Sequence, residues 1–125
     1  LSKIPEFVRE TSAKVLAAAP GTRMVIYGHV GDRNVHFNPL RPEDVSPDAY
    51  LAQYGDAITR LVDDAGTALN GSISAEHGVG TAKRDELLHV RSNVELKLAW
   101  SVKRALHPAN LMNPGKVFPA MSAAN

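Results

Sequence analysis

The sequence predicts an α+β fold of the ferredoxin-like split β-α-β kind, with an antiparallel sheet, a missing first strand, and helices appended at the C-terminal end. Three observations carry that reading. An apolar series at helical spacing opens the chain, and two short β-branched and aromatic runs joined by a turn follow it. A second, longer helical series then leads to a third short run. The order helix, strand, strand, helix, strand is the split β-α-β motif without its first strand, which would precede Leu1. Residues 1–125 are therefore expected to form one domain that belongs to a longer protein.

The elements follow in order. From Ile4, the positions Phe7, Val8, Thr11, Val15 and Leu16 recur at helical spacing, and Pro20-Gly21 ends the helix. Met24 to Tyr27 and Val35 to Asn38 read as two strands, the second stopped by Pro39. Between Leu40 and Pro47 lies a proline-rich loop in which Ser46 and Pro47 suit the N-cap and first helical residue. A long helix follows, with Leu51, Tyr54, Ile58, Leu61, Val62 and Ala65 on its apolar face and Asn70-Gly71 at its end. Ser72 to Ser74 is the third strand candidate, followed by the turn Gly78-Val79-Gly80. Thr81–Val90 and Val94–Leu106 read as two further helices, and the tail from Asn113 as irregular.

Composition narrows the function classes. Fourteen Lys and Arg face thirteen Asp and Glu with no block of one sign, so no nucleic-acid or membrane-surface footprint is expected. The chain has no cysteine, which excludes disulfides, a thiolate nucleophile and cysteine-ligated zinc or iron–sulfur sites. Any bound metal must be held by nitrogen and oxygen. No apolar run approaches the roughly 20 residues that a membrane helix needs, and no secretory leader is visible, so the expected setting is the cytoplasm.

Two segments concentrate residues that can do chemistry. If the hairpin turn centres on Asp32-Arg33, residues whose numbers sum to 65 face each other, which puts His29 opposite His36 with Asn38 on the same face. Such a pair could share one ion, although a polar, solvated sheet face describes the same residues. The second segment runs from Ser74 through Glu76 and His77 to Gly80. In extended backbone, adjacent side chains point apart, so Glu76 and His77 are expected to serve different partners. Glu76 with His29 and His36 would make a two-histidine, one-carboxylate set suited to Zn²⁺, Mn²⁺ or Fe²⁺. A helix start at Thr81 could offer N–H groups to an anion. Lys83 and Arg84 read as solvated first-turn residues, His89 and His107 as structural, and Trp100 as core.

Tyr27 to Asn38, Gly71 to Gly80 and Asn113-Pro114-Gly115-Lys116, in that order and spacing, resemble the C-terminal region of the FAD-linked oxidases of vanillyl-alcohol-oxidase type. That family includes D-lactate and D-2-hydroxyglutarate dehydrogenases and the flavin subunit of glycolate oxidase. The resemblance implies a divalent cation, Zn or Mn, on His29, His36 and Glu76. It implies His77 as general base and substrate ligand, Asn38 as a substrate contact, and Asn113 and Lys116 near the flavin. It further implies that FAD is bound mainly by an N-terminal domain outside these 125 residues, and that the substrate is a 2-hydroxy acid such as 2-hydroxyglutarate, lactate or glycolate.

Two positions depart from the family pattern. Arg33 and Ala75 stand where members usually carry glycine; Arg33 argues against the simple hairpin turn, and Ala75 is expected to be benign. Two other function classes compete: a metal-dependent hydrolase, and a ferredoxin-like binding module without catalysis. The electron acceptor is undetermined. An open sheet edge suggests a homodimer, and peripheral attachment to the inner membrane is the alternative to a free cytoplasmic protein.

Overall fold

The computed structural model describes residues 3–118 as two compact units, one ending at Ala75 and the other beginning at Glu76. The class is α+β, with helices in both units and a two-stranded antiparallel sheet in the first.

Helix α1 spans Ile4–Ala18 and buries Thr11 and Val15. Pro5 sits in its first turn, where no N–H is needed. Beyond its C-cap Ala19, Gly21 takes a φ of 83°, turning the chain toward β1, Arg23–Tyr27. Strand β2, His36–Leu40, runs antiparallel to β1. It continues through Pro39, which is paired with Met24, rather than stopping there; proline is tolerated on an edge strand.

The pairing is Tyr27 with His36, Val25 with Asn38 and Arg23 with Leu40, so opposed residue numbers sum to 63 rather than 65. The cause lies in residues 28–35. A two-residue type I′ turn needs positive φ at both central residues, but only Arg33 has it, at 59°, while Asp32 ends a short 3₁₀ turn, Val30–Asp32. The His29 carbonyl accepts the amides of Asp32 (3.0 Å) and Asn34 (3.2 Å), closing a longer connection. Because the shift is two residues, every strand side chain keeps its expected face.

Ser46 caps the next helix by accepting the Ala49 amide at 3.2 Å, with Pro47 as the first helical residue. The loop before it is held by Arg41, whose Nη1 donates to the carbonyls of Pro42, Glu43 and Val45 at 2.9, 3.0 and 2.6 Å. The helix is continuous from α2, Pro47–Tyr50, through a π-helical stretch, Leu51–Gly55, into α3, Asp56–Ala68. The wider π turns set the apolar stripe at four-residue steps, Tyr50, Tyr54 and Ile58. Tyr50 is therefore buried and Leu51, expected on that stripe, is 64% exposed. The helix ends in a Schellman motif: Asn70 has φ 59°, its amide bonds the Thr67 carbonyl, and the Gly71 amide bonds the Gly66 carbonyl at 2.8 Å.

Val15, Ala19, Tyr50 and Ile58 form the core of this unit, with Met24 and Phe37 from the inner face of the hairpin packed against them. Phe37 meets Phe7 edge-on at 5.5 Å. Ser72–Ser74 is bent rather than a strand, and a ferredoxin-like sheet is accordingly not formed among the described residues. The Ser72 hydroxyl accepts the Ser74 amide, a local bond that competes with a ladder.

In the second unit, α4 spans Arg84–Val90 and α5 spans Asn93–Leu106. The capping box Ser92-x-x-Glu95 starts α5: the Glu95 amide donates to Ser92 Oγ, and Ser92 N donates to Glu95 Oε2 at 3.0 Å. The hydrogen bonds that Ser92 N and Ser92 Oγ (2.9 Å) donate to the Glu95 carboxylate hold it below its ordinary pKa. Trp100, half-buried, packs on buried Phe118 with ring centroids 5.0 Å apart.

Candidate active site

The hairpin offers one face to the core and one outward. Burial alternates along β1, so Met24 and Ile26 lie inward while Arg23, Val25 and Tyr27 are exposed. His36 and Asn38 stand opposite Tyr27 and Val25 and share that outward face. Tyr27, which the sequence reading did not single out, stacks on the His36 imidazole with centroids 4.8 Å apart and planes 12° from parallel. The stack covers one face of the imidazole.

His29 lies in the connection rather than across the ladder, yet its ring stands edge-on to His36, perpendicular to it at a centroid distance of 6.4 Å. With metal–nitrogen bonds of about 2.0–2.1 Å, two imidazoles sharing an ion at a tetrahedral angle have centroids about 5 Å apart. The pair is thus about 1 Å too open for one ion as it stands, a gap that side-chain rotation can close. The fit is good in chemistry and near in geometry. What allows the approach is Gly28, where an added Cβ would lie 2.1 Å from the Asn34 carbonyl oxygen.

In the second unit, Glu76 and His77 occupy a turn rather than extended backbone. The alternation expected of an extended strand therefore does not separate them. Glu76 Oε1 and His77 Nε2 approach to 3.8 Å, both on exposed side chains. Gly78 and Gly80, with φ of 69° and 58°, let the chain reverse after His77. Regular helix begins at Arg84 rather than Thr81, and Thr81–Lys83 are turn, so no helix N-terminus faces this loop at Thr81.

Asn113 and Lys116 lie in the tail of the same unit. Lys103 Nζ donates to the carbonyl of Met112 at 3.2 Å, and His107 Nε2 accepts the Met112 amide at 3.0 Å, a structural task for that histidine. The tail returns to the glycine turn, where the Val117 amide donates to the Gly80 carbonyl at 2.7 Å. Arg84 is half-buried and donates to the Gly115 carbonyl at 3.3 Å. No periodicity or motif flags these last contacts, because they join residues more than 30 apart in sequence through backbone groups.

The model of the family described as FAD linked oxidases, C-terminal domain, matches residues 1–117. The chain belongs to that family. Among curated relatives of this FAD-linked oxidase C-terminal domain, D-2-hydroxyglutarate dehydrogenase of Stutzerimonas stutzeri is 39% identical over 96% of this chain and 26% of that protein. The protein of the same name from Xanthomonas citri pv. viticola is 40% identical over 98% of this chain and 26% of its own length. D-lactate dehydrogenase of Archaeoglobus fulgidus is 35% identical over 93% of this chain and 24% of that protein. The chain thus spans about a quarter of the length of the curated relatives it matches. Membership covers both units, and so takes in both histidine-bearing segments.

The two departures from the family pattern also have a structural meaning. Arg33 and Ala75 have φ of 59° and 44°, a region where glycine is at no steric disadvantage and other residues are. Ala75 therefore stands at a backbone conformation that favours glycine.

Proposed function

We propose that this chain is the C-terminal part of a longer FAD-dependent dehydrogenase that oxidises a D-2-hydroxy acid to the 2-oxo acid. The observation that carries the reading is the imidazole pair His29 and His36, the second of which shares the outward strand face with Asn38, in a chain whose family is FAD-linked. Bound FAD would supply the hydride acceptor, and a divalent ion, Zn or Mn, would supply the electrophile that binds carboxylate and hydroxyl.

His29, His36 and Glu76 would hold that ion, two neutral nitrogens and one carboxylate leaving positions open for substrate. Asn38 would orient the substrate by hydrogen bonding. His77 would take the hydroxyl proton as general base. Asn113 and Lys116 would lie near the flavin, whose binding domain belongs to the rest of the longer protein. The hairpin would join further strands there, completing a ferredoxin-like sheet. Its free edges also suit pairing with a second copy.

D-2-hydroxyglutarate is favoured as substrate over lactate and glycolate, in line with the names of the two relatives at 39–40% identity. The electron acceptor is left open. A cytoplasmic site, or one at the inner membrane surface, fits a chain in which no described helix is long and apolar enough to cross a membrane.

The test is dye-linked oxidation of D-2-hydroxy acids by the full-length protein, with metal content measured in parallel. His77→Asn should lower kcat by about 10²–10⁴-fold while metal and flavin stay bound. Near-normal turnover in that variant removes His77 from the mechanism. A colourless, flavin-free wild type that hydrolyses esters or amides would favour a metal-dependent hydrolase instead.

A further inference from the structure

The tail of the second unit carries strain that nothing in its own sequence requires. Val117 has φ of 63°, and the Phe118 amide reaches back to the Lys116 carbonyl at 2.7 Å, which makes a γ-turn of the rare positive-φ hand centred on a β-branched residue. Such a conformation persists only where its surroundings hold it. Three contacts do so. Phe118 is buried against Trp100, the Val117 amide donates to the Gly80 carbonyl, and Arg84 Nη1 donates to the Gly115 carbonyl. The Arg84 guanidinium is itself oriented by Asp85, whose Oδ1 accepts from Nε at 3.1 Å.

The residue these contacts act upon is Gly80, three positions after His77 and the last of the turn that reverses the chain there. With positive φ at both Gly78 and Gly80, the turn has little intrinsic preference for one conformation. We propose that Arg84 is a positioning residue: by holding the Asn113–Phe118 segment through the Gly115 carbonyl, it keeps the Val117 amide on Gly80 and so fixes the turn that sets the direction of His77. The inference rests on His77 being the base of the proposed oxidation. It gives the tail a second task beside any contact that Asn113 or Lys116 makes with cofactor.

The test uses the full-length protein with Arg84→Met and Arg84→Lys. Amide exchange at Val117 and across residues 76–83 should speed up by about tenfold or more in Arg84→Met, with α5 unchanged. In the same variant, kcat should fall by about 10–100-fold with KM for the hydroxy acid within about twofold and metal content unchanged, because a base displaced by about 1 Å loses rate rather than binding. Arg84→Lys, which retains a donor for the Gly115 carbonyl, should recover most of both effects. Unchanged exchange at Val117 in Arg84→Met overturns the proposal, as does a kcat loss that lysine does not rescue. Exchange is read without turnover, so a wild type inactive on every hydroxy acid would sink the functional reading while the exchange comparison still decides the tie.

Discussion

A methyl group added at Gly28 would stand 2.1 Å from the Asn34 carbonyl oxygen and 2.9 Å from both the Asn34 carbonyl carbon and Val35 Cα. All three atoms are backbone, so no rotamer change can relieve the clash. A carbon–oxygen contact becomes ordinary near about 3.3 Å, so residues 28 and 34 must part by about 1 Å. That movement strains the amide bonds of Asp32 and Asn34 to the His29 carbonyl. Overpacking of this kind costs about 1–3 kcal/mol, a sizeable share of the 5–15 kcal/mol that typically separates folded from unfolded protein. It also moves His29, whose ring already lies 6.4 Å from that of His36 and must approach, not recede, to share an ion. Gly28→Ala in the full-length protein is therefore expected to lower the urea midpoint and to weaken divalent-metal affinity by about 10–100-fold, or about 1.4–2.8 kcal/mol. Gly31→Ala is the control, since nothing lies within 4 Å of its added methyl. An unchanged midpoint and metal affinity within twofold in Gly28→Ala, measured by chelator competition, would refute both the steric argument and the place of His29 in the site.

Two further outcomes follow from local geometry. Ala75→Gly, which restores the family's usual residue at a φ of 44°, should be neutral to stabilising by up to about 1 kcal/mol in denaturant titration, and a loss of stability would count against a left-handed backbone there. The capping box makes α5 sensitive to acid. Glu95 has a lowered pKa in the folded state, so its contribution is fully present above the ordinary carboxylate value of about 4.3 and is lost as pH falls through the lower folded value. The difference in urea midpoint between wild type and Glu95→Gln should accordingly be present at pH 7 and close on acidification; a gap that widens below pH 4 would reverse the assignment.

Local chemistry made most of the elements legible from residues alone. The helix beginning at Ser46-Pro47 starts where the serine cap and the fixed φ of proline put it, and its end at Asn70-Gly71 follows from the same kind of rule. The strands at Met24–Tyr27 and around His36–Asn38 follow from β-branched and aromatic runs, and the two-residue period of a strand placed His36 and Asn38 on one face whatever the register. What failed was what depends on partners. Ser72–Ser74 has strand-like flanks, but a strand exists only where a ladder receives it, and the Ser72 hydroxyl takes the amide instead. Leu51 fits a 3.6-residue period and is exposed because the π turns, which no residue type announces, move the stripe to Tyr50.

The candidate site divides along the same line. Residue identity alone determined which atoms can act: two imidazoles, a carboxylate beside a third imidazole, no thiolate, and glycines at 28, 78 and 80, where the backbone approaches closely or reverses. Only the tertiary structure decided how they meet. It set the hairpin register by the φ that Asp32 does not adopt, placed Tyr27 rather than His29 opposite His36, and brought Val117 to the turn after His77 and the Gly115 carbonyl to Arg84. Side-chain chemistry and short-range periodicity are written residue by residue, whereas hydrogen bonds between backbone groups far apart in the chain carry no residue code and exist only once the chain has folded.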